Sequence, residues 1–263
     1  MQYDSDGFGW LVGICGNSRF HWGRVGGSDP AIATWETPHL TAAQVRDLVG
    51  SGFDFAPWGV DGTINPDGVA IASVVPSQLA LWERYQQVEI VTLDRVPLQQ
   101  LYPTLGIDRA LAVLGAGTKF GFPVLVIDGG TALTLTGANG DRALVGGAIL
   151  PGLGLQLSML SQNTAQLPDL NLSNFTTLPP RWATDTPNAI YSGILRTIAA
   201  GIGDFISDWR RSFPDSAIVF TGGDGDRLLA LLKVQLPDLA AGICLFREAA
   251  FLGILNLVSS HGY

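Results

Sequence analysis

The sequence predicts a duplicated α/β protein, two lobes that each begin with a strand, a glycine turn and a second strand. Two observations carry this. An apolar run meets Gly16-Asn17-Ser18 near the N-terminus, and the pattern restarts after Lys119, where Val124 to Ile127 leads into Asp128-Gly129-Gly130-Thr131. Strand-like runs also alternate with helical periodicity in both halves instead of segregating to one. The boundary is expected near residue 117, dividing the chain into 1–117 and 118–263.

The elements follow in order. Trp10 to Val25 reads as two strands around the Gly16 turn, a hairpin signal. Thr41 to Val49 is a helix with Thr41 as N-cap. Val69 onwards is a buried strand ended by Pro76, followed by a helix over Ser77–Gln87 capped by Ser77, then a strand over Val88–Asp94. Gly106-Ile107-Asp108-Arg109 precedes a short helix, Ala110–Ala116. In the second half, strands flank the Gly130 turn and helices are expected over Leu153–Thr164 and Pro187–Phe213. A strand from Ala217 runs into Gly222-Gly223, and helices cover Arg227–Leu236 and Ala249–Ser260.

Composition narrows the class. A hydrophobic content of 47% with 14% charged residues supports a well-buried globular chain. The formal net charge of -8, without any Lys/Arg cluster, argues against a nucleic-acid partner. Cys15 and Cys244 lie in apolar segments without metal-ligand spacing and are expected to be free thiols. The N-terminus lacks a signal-peptide pattern. Apolar runs are interrupted before the ~18 residues of a membrane span, so a cytoplasmic protein is expected. The seven tryptophans read as core and interface material, and His21 and His39 show no partner in the sequence.

Three glycine turns carry the chemistry: Gly16-Asn17-Ser18, Asp128-Gly129-Gly130-Thr131 and Thr221-Gly222-Gly223-Asp224, each just after an apolar strand. Glycine lets backbone N–H groups approach phosphate oxygens, and Ser18 and Thr131 add hydroxyls. Asp128 suits a hard cation that neutralises phosphate charge. No P-loop signature is present. Any one turn alone is better read as a tight hairpin; three, shared between two halves, favour a nucleotide. Asp108 begins a helix, where a carboxylate is stabilised by free N–H groups, and that structural role accounts for it as well as a catalytic one does.

These motifs resemble the type III pantothenate kinases, of the actin, hexokinase and heat-shock ATPase superfamily. The phosphate turn D-x-G-T-A-x-T is Asp128 to Thr134, G-G-x-I-x-P-G is Gly146 to Gly152, and T-A-x-L-P is Thr164 to Pro168. G-x-D-R is Gly106 to Arg109 with Gly115-Ala116 following, T-x-x-A-I-x-S-G is Thr186 to Gly193, and T-G-G is Thr221 to Gly223. The resemblance runs nearly end to end. It implies an actin-like (ribonuclease H-like) two-domain ATPase fold with a central interdomain cleft.

It also implies ATP-dependent phosphorylation of pantothenate, the first step towards coenzyme A, by a homodimer using Mg²⁺ and a monovalent cation, K⁺ or NH₄⁺. By this carry-over Asp108 is the general base. Tyr102, Gly106, Ile107, Arg109 and Thr186 hold pantothenate; Gly16, Asn17, Ser18, Arg19, Gly130, Thr131, Gly222 and Gly223 serve ATP. Asp128 ligates the monovalent ion. Tyr102 sits closer to G-x-D-R than the family's substrate tyrosine, and is read either as that residue or as a ring packed under the loop. The family's first turn reads D-x-G-N-T, and here Ile14 occupies the aspartate's place. An apolar side chain cannot hold a hydrated Mg²⁺, and Asp4 and Asp6 lie too far upstream to substitute. The alternative is a catalytically weak or silent regulatory protein like Bvg accessory factor, which links this family to transcriptional control.

Overall fold

A computed structural model describes residues 9–26, 29–60, 62–174 and 177–258; Asp4, Asp6 and the final serines of the expected last helix lie outside the described residues. The chain divides into two compact units. One ends at Gly115 and resumes at Glu248, and the other is Ala116–Arg247.

The first unit holds strands β1 (Trp10–Cys15), β2 (Phe20–Gly26), β3 (Asp29–Thr37), β4 (Gly68–Ser73) and β5 (Val88–Ile90) in the order β3-β2-β1-β4-β5. β1, β2 and β3 form an antiparallel meander, while β4 and β5 run parallel to β1. The second unit repeats this plan with β6 (Val124–Gly129), β7 (Ala132–Ala138), β8 (Leu144–Pro151), β9 (Ala217–Thr221) and β10 (Cys244–Leu245), ordered β10-β9-β6-β7-β8. β6, β7 and β8 are again an antiparallel meander, with β9 and β10 parallel to β6. Each central strand emerges at a glycine turn, so duplication of the sheet duplicates the turn.

Helix α1 (Ala42–Gly50) starts where predicted: the Thr41 hydroxyl accepts from Gln44 N–H and the Gln44 side chain accepts from Thr41 N–H, a reciprocal capping box. Helix α2 (Pro76–Trp82) differs from expectation. Its N-cap is Val75, not Ser77, and it carries no side-chain cap; Pro76 occupies the first turn, where its missing N–H removes nothing and its fixed φ favours the helix. β4 accordingly ends at Ser73 rather than at the proline, and α2 stops at Trp82, short of Gln87. The strand expected over Val88–Asp94 is only β5, because Leu93–Arg95 turns as a 3₁₀ segment and Arg95 folds back on the Ile90 carbonyl at 3.2 Å. Helix α3 (Ile107–Phe120) begins earlier and runs further than the short helix predicted.

β3, β8 and β10 were not anticipated. In β8 the pair Gly146-Gly147 reads locally as a turn, yet both residues pair with β7, and Gly146 takes φ 139 beside a register shift at Gly137/Ala138. Tertiary pairing overrides the local signal there.

The first core is aromatic. Phe20 and Trp22 stack at 4.3 Å, Trp82 and Phe55 pack around them, and buried Trp22 donates to the Thr37 hydroxyl at 3.1 Å. The second is aliphatic. In α5 (Thr186–Ser212), Ile190, Ile194, Ile198, Ile202 and Ile206 recur every four residues and join Leu125, Ile127, Leu133 and Leu135; each buried side chain contributes ~1.5–3 kcal/mol. Contrary to expectation, α5 is long and apolar enough to cross a membrane by length and composition. Half of its apolar window is buried within the protein, which accounts for that composition as core packing. Helices α4 (Leu153–Gln162), α6 (Gly225–Gln235) and α7 (Pro237–Ala240) complete the unit.

The last helix, α8 (Ala249–Val258), belongs with the first unit, so the expected second lobe 118–263 is too long at its C-terminal end. Two glycines make its docking possible. A Cβ on Gly115 of α3 would lie 1.8 Å from the Ala249 carbonyl oxygen, and one on Gly253 would lie 2.1 Å from that of Leu111. Cys15 and Cys244 are both free, as expected. Trp22, Trp82 and Trp209 are buried, and Trp182 is exposed.

Candidate functional site

Between β1 and β2, Gly16 N–H donates to Arg19 O at 3.0 Å, closing a tight turn with Asn17, Ser18 and Arg19 at the surface. His39 Nε2 donates to Gly16 O at 2.8 Å, tying the turn to the segment after β3. Arg19 Nη1 meets Glu36 Oε2 at 2.7 Å, and His21 Nδ1 meets Glu36 Oε1 at 3.1 Å. Burial pushes the His21 imidazole below its ordinary pKa, an effect that Glu36 opposes and Arg19 reinforces. Ile14, where the resemblance expects a carboxylate, is opposite His21 in the sheet and only 6% exposed. Both histidines thus have partners that the sequence did not reveal, because each is supplied by another strand or turn.

At the start of α3 the Gly106 carbonyl accepts from Arg109 N–H at 3.1 Å and Ala110 N–H at 3.2 Å. Asp108 Oδ1 accepts from Arg109 N–H at 2.8 Å. Gly106 is required by this geometry, since a Cβ there would lie 2.5 Å from Asp108 Oδ1. Burial raises the Asp108 pKa above its ordinary value, with the Arg109 backbone and guanidinium pulling the other way. Ile107 and Arg109 are both buried, at 7% exposure, and Arg109 Nη1 donates to the Tyr102 hydroxyl at 3.1 Å. Tyr102 is 40% exposed. Its hydroxyl orients the guanidinium.

In the second unit three motifs meet. Asp128, near the end of β6, is flanked by Thr134 of β7 and Thr221 of β9. Gly222 takes φ +80, and a Cβ there would lie 2.2 Å from Asp128 Oδ1. Gly130 N–H donates to Ala132 O at 3.0 Å, and Gly152 N–H donates to Thr131 O at 3.0 Å. A Cβ on Gly152 would sit 2.0 Å from Gly130 O. Asp224 N–H closes the group on Gly129 O at 2.8 Å, and Gly223 has open space around it. The glycines of G-G-x-I-x-P-G and T-G-G thus allow two segments to press against the Asp128–Thr131 turn.

Thr186 starts α5 and is exposed. Asp185 before it caps the helix, accepting from Asn188 N–H at 2.9 Å. The Asn188 hydrogen bonds lower the Asp185 pKa. Thr186 lines a concavity of about 550 Å³ with Leu167, Asp185 and Ile190. Leu167 belongs to T-A-x-L-P, so two separate motifs share one wall.

A meander-plus-parallel sheet repeated twice, with a glycine turn after each central strand, defines a duplicated actin-like α/β fold. Two solved structures share it. One from Campylobacter jejuni, described as a Baf family transcriptional activator, matches with a TM-score of 0.62 at 17% identity, over 95% of this chain and 98% of its own. The activator of 2-hydroxyisocaproyl-CoA dehydratase from Clostridium difficile, solved with ADPNP, matches with a TM-score of 0.51 at 11% identity, over 95% and 96%. Both likenesses concern the fold.

Sequence relatives specify the family. Residues 10–208 match the type III pantothenate kinase family, and the chain belongs to it. A type III pantothenate kinase from Nostoc sp. is 45% identical, covering 95% of this chain and 94% of the relative. Another from Synechocystis sp. is 47% identical, covering 88% and 84%.

Proposed function

We propose that this chain is a kinase that transfers the γ-phosphoryl group of ATP to the primary hydroxyl of pantothenate, the first step towards coenzyme A. The observation that carries the reading is Asp108. It is half-buried at a helix N-terminus, beside an Arg109 held by Tyr102, in a chain that belongs to this family.

In the reaction the hydroxyl oxygen bonds to the γ-phosphorus as the bond to the β-phosphate oxygen breaks, and ADP leaves. Asp108 orients the hydroxyl and accepts its proton late. That timing suits a carboxylate, whose pKa of about 4 lies far below that of an alcohol, because a loose phosphoryl-transfer transition state needs little early deprotonation. Burial raises Asp108 and narrows the gap. Arg109, Tyr102, Gly106 and Ile107 hold or shape the pantothenate site, with Thr186 contributing from the start of α5.

Gly16, Asn17, Ser18, Arg19, Gly130, Thr131, Gly222 and Gly223 serve ATP through backbone N–H groups and hydroxyls. The Asp128 carboxylate, a hard oxygen donor, fits a monovalent cation such as K⁺ or NH₄⁺. Position 14 does not fit a Mg²⁺ role, being a buried isoleucine. Cations at such a site spread phosphate charge, and binding then positions the reactants.

The reading extends to a cytoplasmic homodimer. Val145 and Ile149 on β8 are 54% and 65% exposed, and Met159 on α4 is 47% exposed; such apolar side chains suit a subunit interface. A silent regulatory role gains no support, since Asp108, Arg109 and Asp128 are all retained.

The test is direct. Purified protein with ATP, Mg²⁺, K⁺ and pantothenate should yield 4'-phosphopantothenate, with turnover falling when K⁺ is replaced by Na⁺. ATP binding without phosphorylated product would overturn the reading.

A further inference from the structure

The β1–β2 turn carries an imidazole that the kinase reading leaves unused. Ile14, His21 and Glu36 lie side by side on β1, β2 and β3, each opposite the next in register, so their side chains share one sheet face. His21 Nδ1 meets Glu36 Oε1 at 3.1 Å, and Arg19 Nη1 meets Glu36 Oε2 at 2.7 Å. With Nδ1 committed to Glu36, the opposite edge of the ring faces the glycine turn: a Cβ on Gly16 would lie 3.8 Å from Nε2 and 3.9 Å from Cδ2. The turn is itself fixed, because Gly16 N–H donates to Arg19 O at 3.0 Å and His39 Nε2 holds Gly16 O at 2.8 Å.

The charges on this face suit an anion. Arg19 and Glu36 neutralise each other, so a proton on His21 leaves the group net positive. β1 adds only the apolar Ile14, where the family's aspartate would add a negative charge. Glu36, as an acceptor, selects the Nδ1–H tautomer. Nε2 then carries a lone pair in the neutral ring and an N–H in the charged one. Only the charged ring can donate to a phosphate oxygen, and that hydrogen bond is charge-assisted.

We propose that His21 is a phosphate-binding residue: Nε2 takes a proton from solvent as the nucleotide binds and donates to one of its phosphate oxygens, with Glu36 positioning the ring through Nδ1. The proposal rests on the assignment of the Gly16–Ser18 turn to ATP made above. Burial holds the free imidazole below its ordinary pKa, an effect that Glu36 opposes and Arg19 reinforces. A bound anion favours the charged form and raises that pKa. Nucleotide affinity therefore grows as pH falls from the bound-state pKa to the free one, and is level outside that window.

The chain has three histidines, few enough for ¹⁵N NMR to follow each ring, with His21 assigned by its loss in His21→Gln. Phosphorus NMR of ADPNP, with Mg²⁺ present, reports binding independently. Saturating ADPNP should raise the apparent pKa of His21 by about one unit, equivalent to about tenfold tighter binding by the charged ring. His21→Gln should weaken ADPNP binding about tenfold below about pH 6 and little above about pH 8. His21→Lys, a fixed cation, should keep the affinity across that range, which separates a lost contact from a lost fold. ADPNP binding with the His21 titration unmoved would overturn the histidine proposal alone. Failure of ADPNP to bind at any pH would overturn the kinase reading as well.

Discussion

Arg109 and Tyr102 form a buried-to-exposed pair: the guanidinium, in a residue only 7% exposed, donates 3.1 Å to a hydroxyl on a ring that is 40% exposed. In the proposed site Tyr102 would act through Arg109, whose side chain it holds beside Asp108. Tyr102→Phe removes one hydrogen bond worth about 1 kcal/mol. KM for pantothenate should rise about fivefold, with kcat and ATP affinity within about twofold of wild type. Steady-state kinetics with pantothenate varied will decide; a fall in kcat at unchanged KM would contradict this role.

Asp108→Asn keeps an acceptor for the Arg109 N–H but cannot take a proton. kcat should fall by about 10²–10⁴-fold while ADP affinity, measured by calorimetry, stays nearly constant. In the wild type, activity should rise with pH through an apparent pKa above the ordinary aspartate value of 3.8, because burial disfavours the ionised form.

The same shift has a stability consequence. A folded-state pKa raised above the unfolded one means that the favourable contribution is complete below the unfolded value and is lost as pH rises through the folded one. Asp108→Asn should thus raise the melting temperature at pH 7, and the advantage should disappear below about pH 4. Melting curves across that range provide the check.

Gly222→Ala places a methyl 2.2 Å from Asp128 Oδ1 at φ +80. The left-handed backbone alone should destabilise the chain by at least about 1 kcal/mol. Displacement of the carboxylate should also blunt activation by K⁺, whereas Gly223→Ala, with open space around it, should leave K⁺ activation near wild type. Activation curves of the two variants can be compared directly.

Gly115→Ala tests the docking of α8. A methyl 1.8 Å from the Ala249 carbonyl forces α3 and α8 apart, and overpacking of this kind destabilises by about 1–3 kcal/mol. Because α3 carries Asp108 in its first turn, kcat should fall along with the denaturation midpoint.

Ile14→Asp returns the carboxylate that the family pattern carries. It should improve Mg²⁺ affinity or the rate with Mg²⁺, since a carboxylate suits a hard cation. Initial rates across a Mg²⁺ titration measure this, and an unchanged profile would mean that position 14 does not face the cation.

Much of the site was legible because its signals are local. Asp128-Gly129-Gly130-Thr131 follows an apolar strand and does form the β6–β7 turn; Thr41 and Gln44 spell a capping box and make one. The misread elements are those in which neighbours override local preference. Ser77 has cap chemistry, but Pro76 had already started the helix. Gly146-Gly147 has turn chemistry, but β7 holds it in a strand. Gly115 stood out only as part of a motif; its reason is the backbone of α8, over a hundred positions later.

The sequence by itself determined the duplicated architecture, the glycine turns and the family, since periodicity, glycine placement and motif order are properties of short segments. The tertiary structure alone decided that Gly222 makes room for Asp128, that Tyr102 orients Arg109, that α8 returns to the first unit, and that His21 stands beside Ile14 with Glu36 behind it. Those relations depend on strand register and helix approach, which arise from pairing between distant segments and are encoded in no single one of them.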